Sequence, residues 1–120
     1  CCVMEQCFSG GMIYHLRGPN RVICTACSEV EVSYGGSTYE DYVMLFASAL
    51  IGTHQLTGTP VDADENNDGN VSVYEAFRWA TNNDTKPETP QYEDSGEGIP
   101  IAFPSAGVTI DGSYGFNYFL

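Results

Sequence analysis

Apolar positions along the chain follow two different periods, and each predicts a different element. Residues 1–6, Cys-Cys-Val-Met-Glu-Gln, form a short apolar run ending in a polar pair. That pattern predicts a buried strand. Arg21 to Ala26 is a second run of the same kind. Between them Cys7-Phe8-Ser9-Gly10-Gly11 reads as a small-residue turn, since glycine accepts backbone geometry that other residues resist. Met12 to Leu16 reads as one helical turn, stopped by Gly18-Pro19. Two apolar strands joined by a short helical crossover predict a parallel pair in an α/β sheet.

Further along, the period lengthens. Residues 27–37 are a polar loop ending Gly35-Gly36-Ser37. From Thr38 the positions Tyr39, Tyr42, Val43, Phe46 and Leu50 step by three and four, predicting an amphipathic helix to about Ile51. Ser37 or Thr38 would cap it, with Glu40 and Asp41 near its positive end. Residues 52–70 read as a long loop. Val73 to Thr81 reads as another helix, with Phe77, Trp79 and Ala80 available for packing. From Asn82 onward Pro, Gly, Asp, Glu and Thr dominate. The tail 99–120 is rich in Tyr and Phe and is expected to add a strand or two. Tyr114, Phe116, Tyr118 and Phe119 would cover the sheet or dock on another subunit. There is no internal repeat.

Composition narrows the classes. A chain of 120 residues is at most one ordinary domain. Its net charge of −12, with four basic residues, argues against nucleic acid and against anionic membrane surfaces. No apolar run approaches the roughly 18 residues that span a bilayer. The chain has neither a signal peptide nor an initiator Met and opens on Cys1 inside an apparent strand. It is therefore expected to be a piece of a longer gene product. All five cysteines (Cys1, Cys2, Cys7, Cys24 and Cys27) lie within the first 27 residues, so they do not staple the whole chain. Cys24 and Cys27 form a CxxC, but residues three apart on a strand face opposite ways, and no second pair completes a zinc site. A cross-strand disulfide between Cys24 and Cys1 or Cys2 stays open.

The strongest local signal is residues 64–75, which fit the twelve-residue EF-hand loop position by position. Asp64, Asn66 and Asp68 stand at positions one, three and five. Gly69 supplies the sharp turn, and Asn70 offers its carbonyl at seven. Ser72 at nine holds a water, and Glu75 at twelve binds bidentately. Val71 is the apolar anchor at eight. Three carboxylates in an oxygen shell suit Ca²⁺ better than Mg²⁺. The residues before Asp64 do not look like an entering helix, and a lone loop suits a structural clamp rather than a sensor. Asn83-Asp84-Thr85 matches the N-glycosylation pattern, and residues 92–98 form an acidic turn.

Cys7 sits at the C-terminal end of a predicted parallel strand, the edge where α/β sheets place active sites. A thiol there, among outward backbone N–H groups, is a candidate nucleophile. It needs a base, and neither His15 nor His54 has a geometric claim from the sequence.

The segment Val3-Met-Glu-Gln-Cys7-Phe-Ser-Gly-Gly-Met12 resembles the nucleophile segment of the legumain-like and caspase-like cysteine peptidases, in which a strand ends in an acid, one small or polar residue, and Cys-x-Ser-Gly. The likeness runs through His15-Leu16, Asn20 to Ala26, Ser28 to Tyr34 and Ser37 to Asp41. It is nearest to prokaryotic members, several of which carry a DxNxDGxVSxxEAF segment after that helix, as Asp64 to Phe77 does, and then Pro90-Gln91-Tyr92. It covers residues 1–98; the tail 99–120 is unplaced.

The resemblance implies part of a three-layer α/β/α caspase-like fold, and a calcium-stabilised cysteine endopeptidase acting on peptide or protein substrates. Cys7 would be its nucleophile, with its own N–H an oxyanion donor. Ser33 and Asp41, with Glu31 beside them, would line an acidic specificity pocket. Phe8 departs from the family, because legumain carries an acid there. The family's His-Gly motif lies before the nucleophile strand and is absent here. The His is thus expected from upstream sequence or a companion chain, with self-assembly a further expectation. An extracellular or cell-surface setting follows. The rival is a non-catalytic calcium-binding structural or assembly-forming protein on that fold.

Overall fold

The computed structural model describes residues 1–36, 42–96, 101–102 and 114–120. A small mixed sheet forms from β1 (Cys2–Met4), β2 (Ile23–Thr25), β3 (Gln91–Glu93) and β4 (Ile101–Ala102), in that spatial order. β1 and β2 are parallel, with Cys2 opposite Ile23, Val3 opposite Cys24 and Met4 opposite Thr25. β3 lies antiparallel to β2, and β4 antiparallel to β3. The expected parallel pair is therefore present, and the first strand of the tail pairs with β3. Both apolar strands are shorter than the runs that predict them.

The crossover from β1 to β2 passes through a 3-10 turn, Ser9–Met12, into α1 (Ile13–Leu16). Ile13, Met4 and Ile23 form a small cluster, with Cys2 and Leu16 against it. The opposite face of the sheet carries the larger cluster. There Val22, Cys24 and Ala26 meet α2 (Tyr42–Ile51) and α3 (Val73–Asn83) through Tyr42, Phe46, Ala49, Ala76, Phe77 and Ala80. Period-two alternation along β2 thus sends Ile23 to one layer and Val22 and Cys24 to the other. The result is a compact α/β domain with helices on both faces of its sheet.

That alternation also decides the cysteine chemistry. Cys2 belongs to the α1 side and Cys24 to the α2–α3 side, so the disulfide left open between them is not made. All five thiols are free. Burial pushes the Cys24 thiol far above its ordinary value. Cys27 lies beyond the end of β2 and is buried as well.

α3 begins where the sequence places it but runs two residues past Thr81. Ser72 caps it in a reciprocal box: Ser72 Oγ accepts from the Glu75 N–H at 3.3 Å, and the Glu75 carboxylate accepts from the Ser72 N–H at 2.8 Å. The described part of α2 begins at Tyr42. The proposed caps Ser37 and Thr38, with Glu40 and Asp41, lie outside the described residues. Glu5, just past β1, accepts the Val43 N–H at 3.0 Å and so ties the first turn of α2 to the sheet.

The tail residues 114–120 cover part of this chain's own surface. Gly115–Asn117 is a 3-10 turn packed on α3 and β3, and Phe119 forms an antiparallel bridge to Ser72.

Candidate functional site

Cys7 occupies an exposed turn at the C-terminal end of β1. The next residue, Phe8, has φ 62°, a left-handed conformation that costs a non-glycine residue about 1–2 kcal/mol. Three hydrogen bonds impose it. The Phe8 N–H donates to Glu31 O at 2.8 Å, Ser9 N–H to Gln6 O at 3.1 Å and Gly10 N–H to Cys27 O at 3.0 Å. Residues 27–33 therefore form a backbone cradle around 6–10. Gly10 is required by closeness: a Cβ there would lie 2.8 Å from Glu29 N and from Ser28 C, and 2.5 Å from Gln91 Oε1.

The Cys7 Sγ donates to Ser33 O at 3.6 Å. Among the described residues no backbone acceptor engages the Cys7 N–H. Neither histidine hydrogen-bonds the thiol. His54 Nδ1 accepts the N–H groups of Leu56 and Thr57, closing a loop of its own. His15 stacks edge-on with Tyr14. Phe8, Val30 and Val32 present exposed apolar surface at the turn. A cavity of about 450 Å³ opens alongside, lined by Gly10, Tyr14, Glu29, Val30 and Gln91 but not by Cys7.

Of the three expected pocket residues, Ser33 stands next to the thiol. Glu31 is drawn elsewhere: its carboxylate accepts from Ser28 N–H at 3.0 Å and from Thr89 N–H and Oγ1 at 3.2 and 2.9 Å. The Ser28 bond first, then those from Thr89, hold its carboxyl below the ordinary value. Asp41 lies outside the described residues.

Glu88 is a neighbour that the sequence pattern does not single out. Its Oε2 accepts the Tyr34 N–H at 3.2 Å, one residue from the carbonyl that holds Cys7. Burial pushes the Glu88 carboxyl up to about 7, and the Asp84 carboxylate beside it adds to the rise. Around it lie further buried side-chain oxygens: Ser33 Oγ and Asp84 Oδ2 beside the Glu88 carboxyl, and Thr81 Oγ1 beside the Tyr42 hydroxyl. Nothing in the spacing of these residues marks them, because they converge only through the fold.

The loop 64–75 is arranged differently. Asp64 accepts the N–H groups of Asp68 and Gly69 at 3.1 and 2.8 Å. Asp68 Oδ1 accepts the Asn70 N–H at 2.9 Å, which with the Asn66 amide keeps its carboxyl low. Gly69 has φ 89°, so the sharp turn expected of it is present. Glu75 is buried, and its Oε1 reaches back to the Asn66 N–H at 3.2 Å. It has no cationic partner among the described residues. A buried carboxylate held by dipoles alone is chemically suited to a cation. Among the described residues, however, no three His, Cys, Asp or Glu side chains close into a metal-ligating group. Asp64, Asn66, Asp68 and Glu75 share one hydrogen-bonded loop, and the Ser72 side chain is engaged with Glu75.

No family model, no curated protein and no solved structure matches the chain.

Proposed function

We propose that the chain is the nucleophile-bearing part of a calcium-stabilised cysteine endopeptidase of the legumain and caspase type. The observation that carries the reading is the exposed Cys7 thiol beside a left-handed residue at the C-terminal end of β1, its own N–H not engaged by any hydrogen bond among the described residues. Cys7 attacks the carbonyl carbon of a peptide bond, and its N–H donates to the developing oxyanion. A histidine from sequence upstream, or from a companion chain, takes the thiol proton and passes it to the leaving amine. Water then hydrolyses the acyl-enzyme and restores the thiol. Ser33 lines the entrance beside the thiol, whereas the Glu31 carboxylate is held by Ser28 and Thr89; the resemblance alone would assign Asp41 to the specificity pocket.

Asp64, Asn66, Asp68, Asn70, Ser72 and Glu75 would hold Ca²⁺, which supplies charge compensation for the loop carboxylates. The twelve-residue pattern and the buried Glu75 carboxylate, which has no cationic partner among the described residues, support this part.

A second reading is favoured by one observation: no histidine touches Cys7 among the described residues. On that reading the fold serves as a calcium-stabilised structural or assembly module. Peptide cleavage by the full protein decides between them. Cys7→Ala is expected to abolish cleavage, and an irreversible thiol alkylator to block it. Cleavage retained by Cys7→Ala rejects the peptidase reading.

A further inference from the structure

The tail is attached to the calcium loop itself. Phe119 bridges Ser72, position nine of the loop, and the Val73 N–H donates to Tyr118 O at 2.9 Å. These contacts fall on the two residues that join the loop to α3. Ser72 also donates both its N–H and its hydroxyl to Glu75 Oε2, each at 2.8 Å. A tail residue and the bidentate ligand at position twelve are thus separated by one serine.

The rest of the tail is anchored by aromatic and carboxylate contacts. Phe116 lies against Tyr74 with ring centroids 4.1 Å apart, and Tyr74 packs edge-on to Tyr92 at 5.4 Å. The Gly115 N–H donates to Asp94 Oδ2 at 2.9 Å, and the same oxygen accepts from the Tyr92 hydroxyl. Gly115 sits directly over that hydroxyl, with no room for a Cβ. A backbone pairing at one end and a glycine fitted over a tyrosine at the other define a built seat on α3 and β3.

We infer that the C-terminal segment 114–120 is the pairing partner of the calcium loop, so that cation occupancy and docking of the tail strengthen each other. The inference rests on the calcium reading of residues 64–75. Its physical basis is shared geometry. Glu75 joins the two: its Oε1 accepts from Asn66 in the loop and its Oε2 from Ser72, so a cation that held the loop carboxylates in place would also hold Ser72 and Val73, the edge that Tyr118 and Phe119 pair with. Linkage then requires the reverse: a docked tail raises the affinity for the cation by the same factor. Withdrawal of the cation releases the tail and uncovers the aromatic surface of Tyr74 and Tyr92.

The test uses the full chain and CaCl₂, with calorimetric titration and hydrogen exchange. Gly115→Val blocks the seat, and Phe116→Ala weakens it while leaving the loop sequence untouched. Each is expected to weaken calcium binding, by about 5-fold or more for Gly115→Val. Calcium is expected to slow exchange at the Val73 amide and across 114–120, and Glu75→Gln to remove that slowing. If the parent binds calcium and both tail variants bind it equally well, the coupling is overturned while the loop reading stands. If the parent binds no calcium at all, the loop reading falls and the inference falls with it.

Discussion

The Cys7 turn and the loop 64–75 hold their key side chains by opposite means. The loop is local. Its bonds join residues two to nine positions apart, as in Asp64 with Gly69 and Asn66 with Glu75. The turn is assembled from afar: Phe8 bonds Glu31, Gly10 bonds Cys27 and crowds Gln91, and Ser33 lies beside Glu88. A local site carries its instructions in spacing and keeps its shape if the surrounding sheet loosens. A site built from three segments carries no such spacing, and it responds to changes in any of them.

The sharpest break in this comparison is Gly10→Val. Branched carbons at a site already 2.8 Å from two backbone atoms must push the cradle off the turn. A loss of about 1–3 kcal/mol or more is expected from the overpacking, read as a lower denaturation midpoint. Labelling of Cys27 should accelerate while the loop 64–75 keeps its hydrogen exchange. Unchanged stability in Gly10→Val would show that the cradle is not rigid.

Glu75→Gln tests the local site at intermediate size. In the parent, Ca²⁺ at a hundredfold excess over its dissociation constant should add about 2.7 kcal/mol, visible as a higher Tm. The variant should lose that rise and also weaken the cap on α3, by about 1 kcal/mol. Equal melting of the parent with and without chelator would exclude calcium from the loop.

The smallest effect concerns Glu88. Its folded value of about 7 exceeds the ordinary 4.5, so the folded state holds the proton more tightly. Stability from this group is full below about 4.5 and declines as pH rises toward and through 7. Partial exposure screens the effect, leaving about 1 kcal/mol or less and a Tm change of a few degrees. Glu88→Gln should flatten the profile between pH 5 and 8. A profile identical to the parent's would remove Glu88 from the list of strained groups at the turn.

These two modes of construction explain what was legible in the chain. The parallel strands and the α3 start at Val73 are read from short windows, and the structure places both; the pattern 64–75 is equally local, and of it the structure shows the sharp turn at Gly69. Cys7 was legible as a residue at a strand end, but its surroundings were not. Glu31 looked like a pocket acid, yet Ser28 and Thr89, the latter 58 residues away, claim its carboxylate. Glu88 carried no pattern because its partners come from other segments. The seat of the tail was equally silent: an alternating run of Tyr and Phe does not say which surface it covers.

Cys27 carries a practical consequence. Its thiol is buried in the seam between the two halves of the Cys7 cradle, within 3.6 Å of the carbonyls of Gln6 and Glu31 and 3.5 Å from Ser9 Oγ. A reagent reaches it only when the seam parts. The modification rate of that one sulfur, compared with exposed Cys7 in the same sample, is therefore a built-in clock for how often the turn breathes.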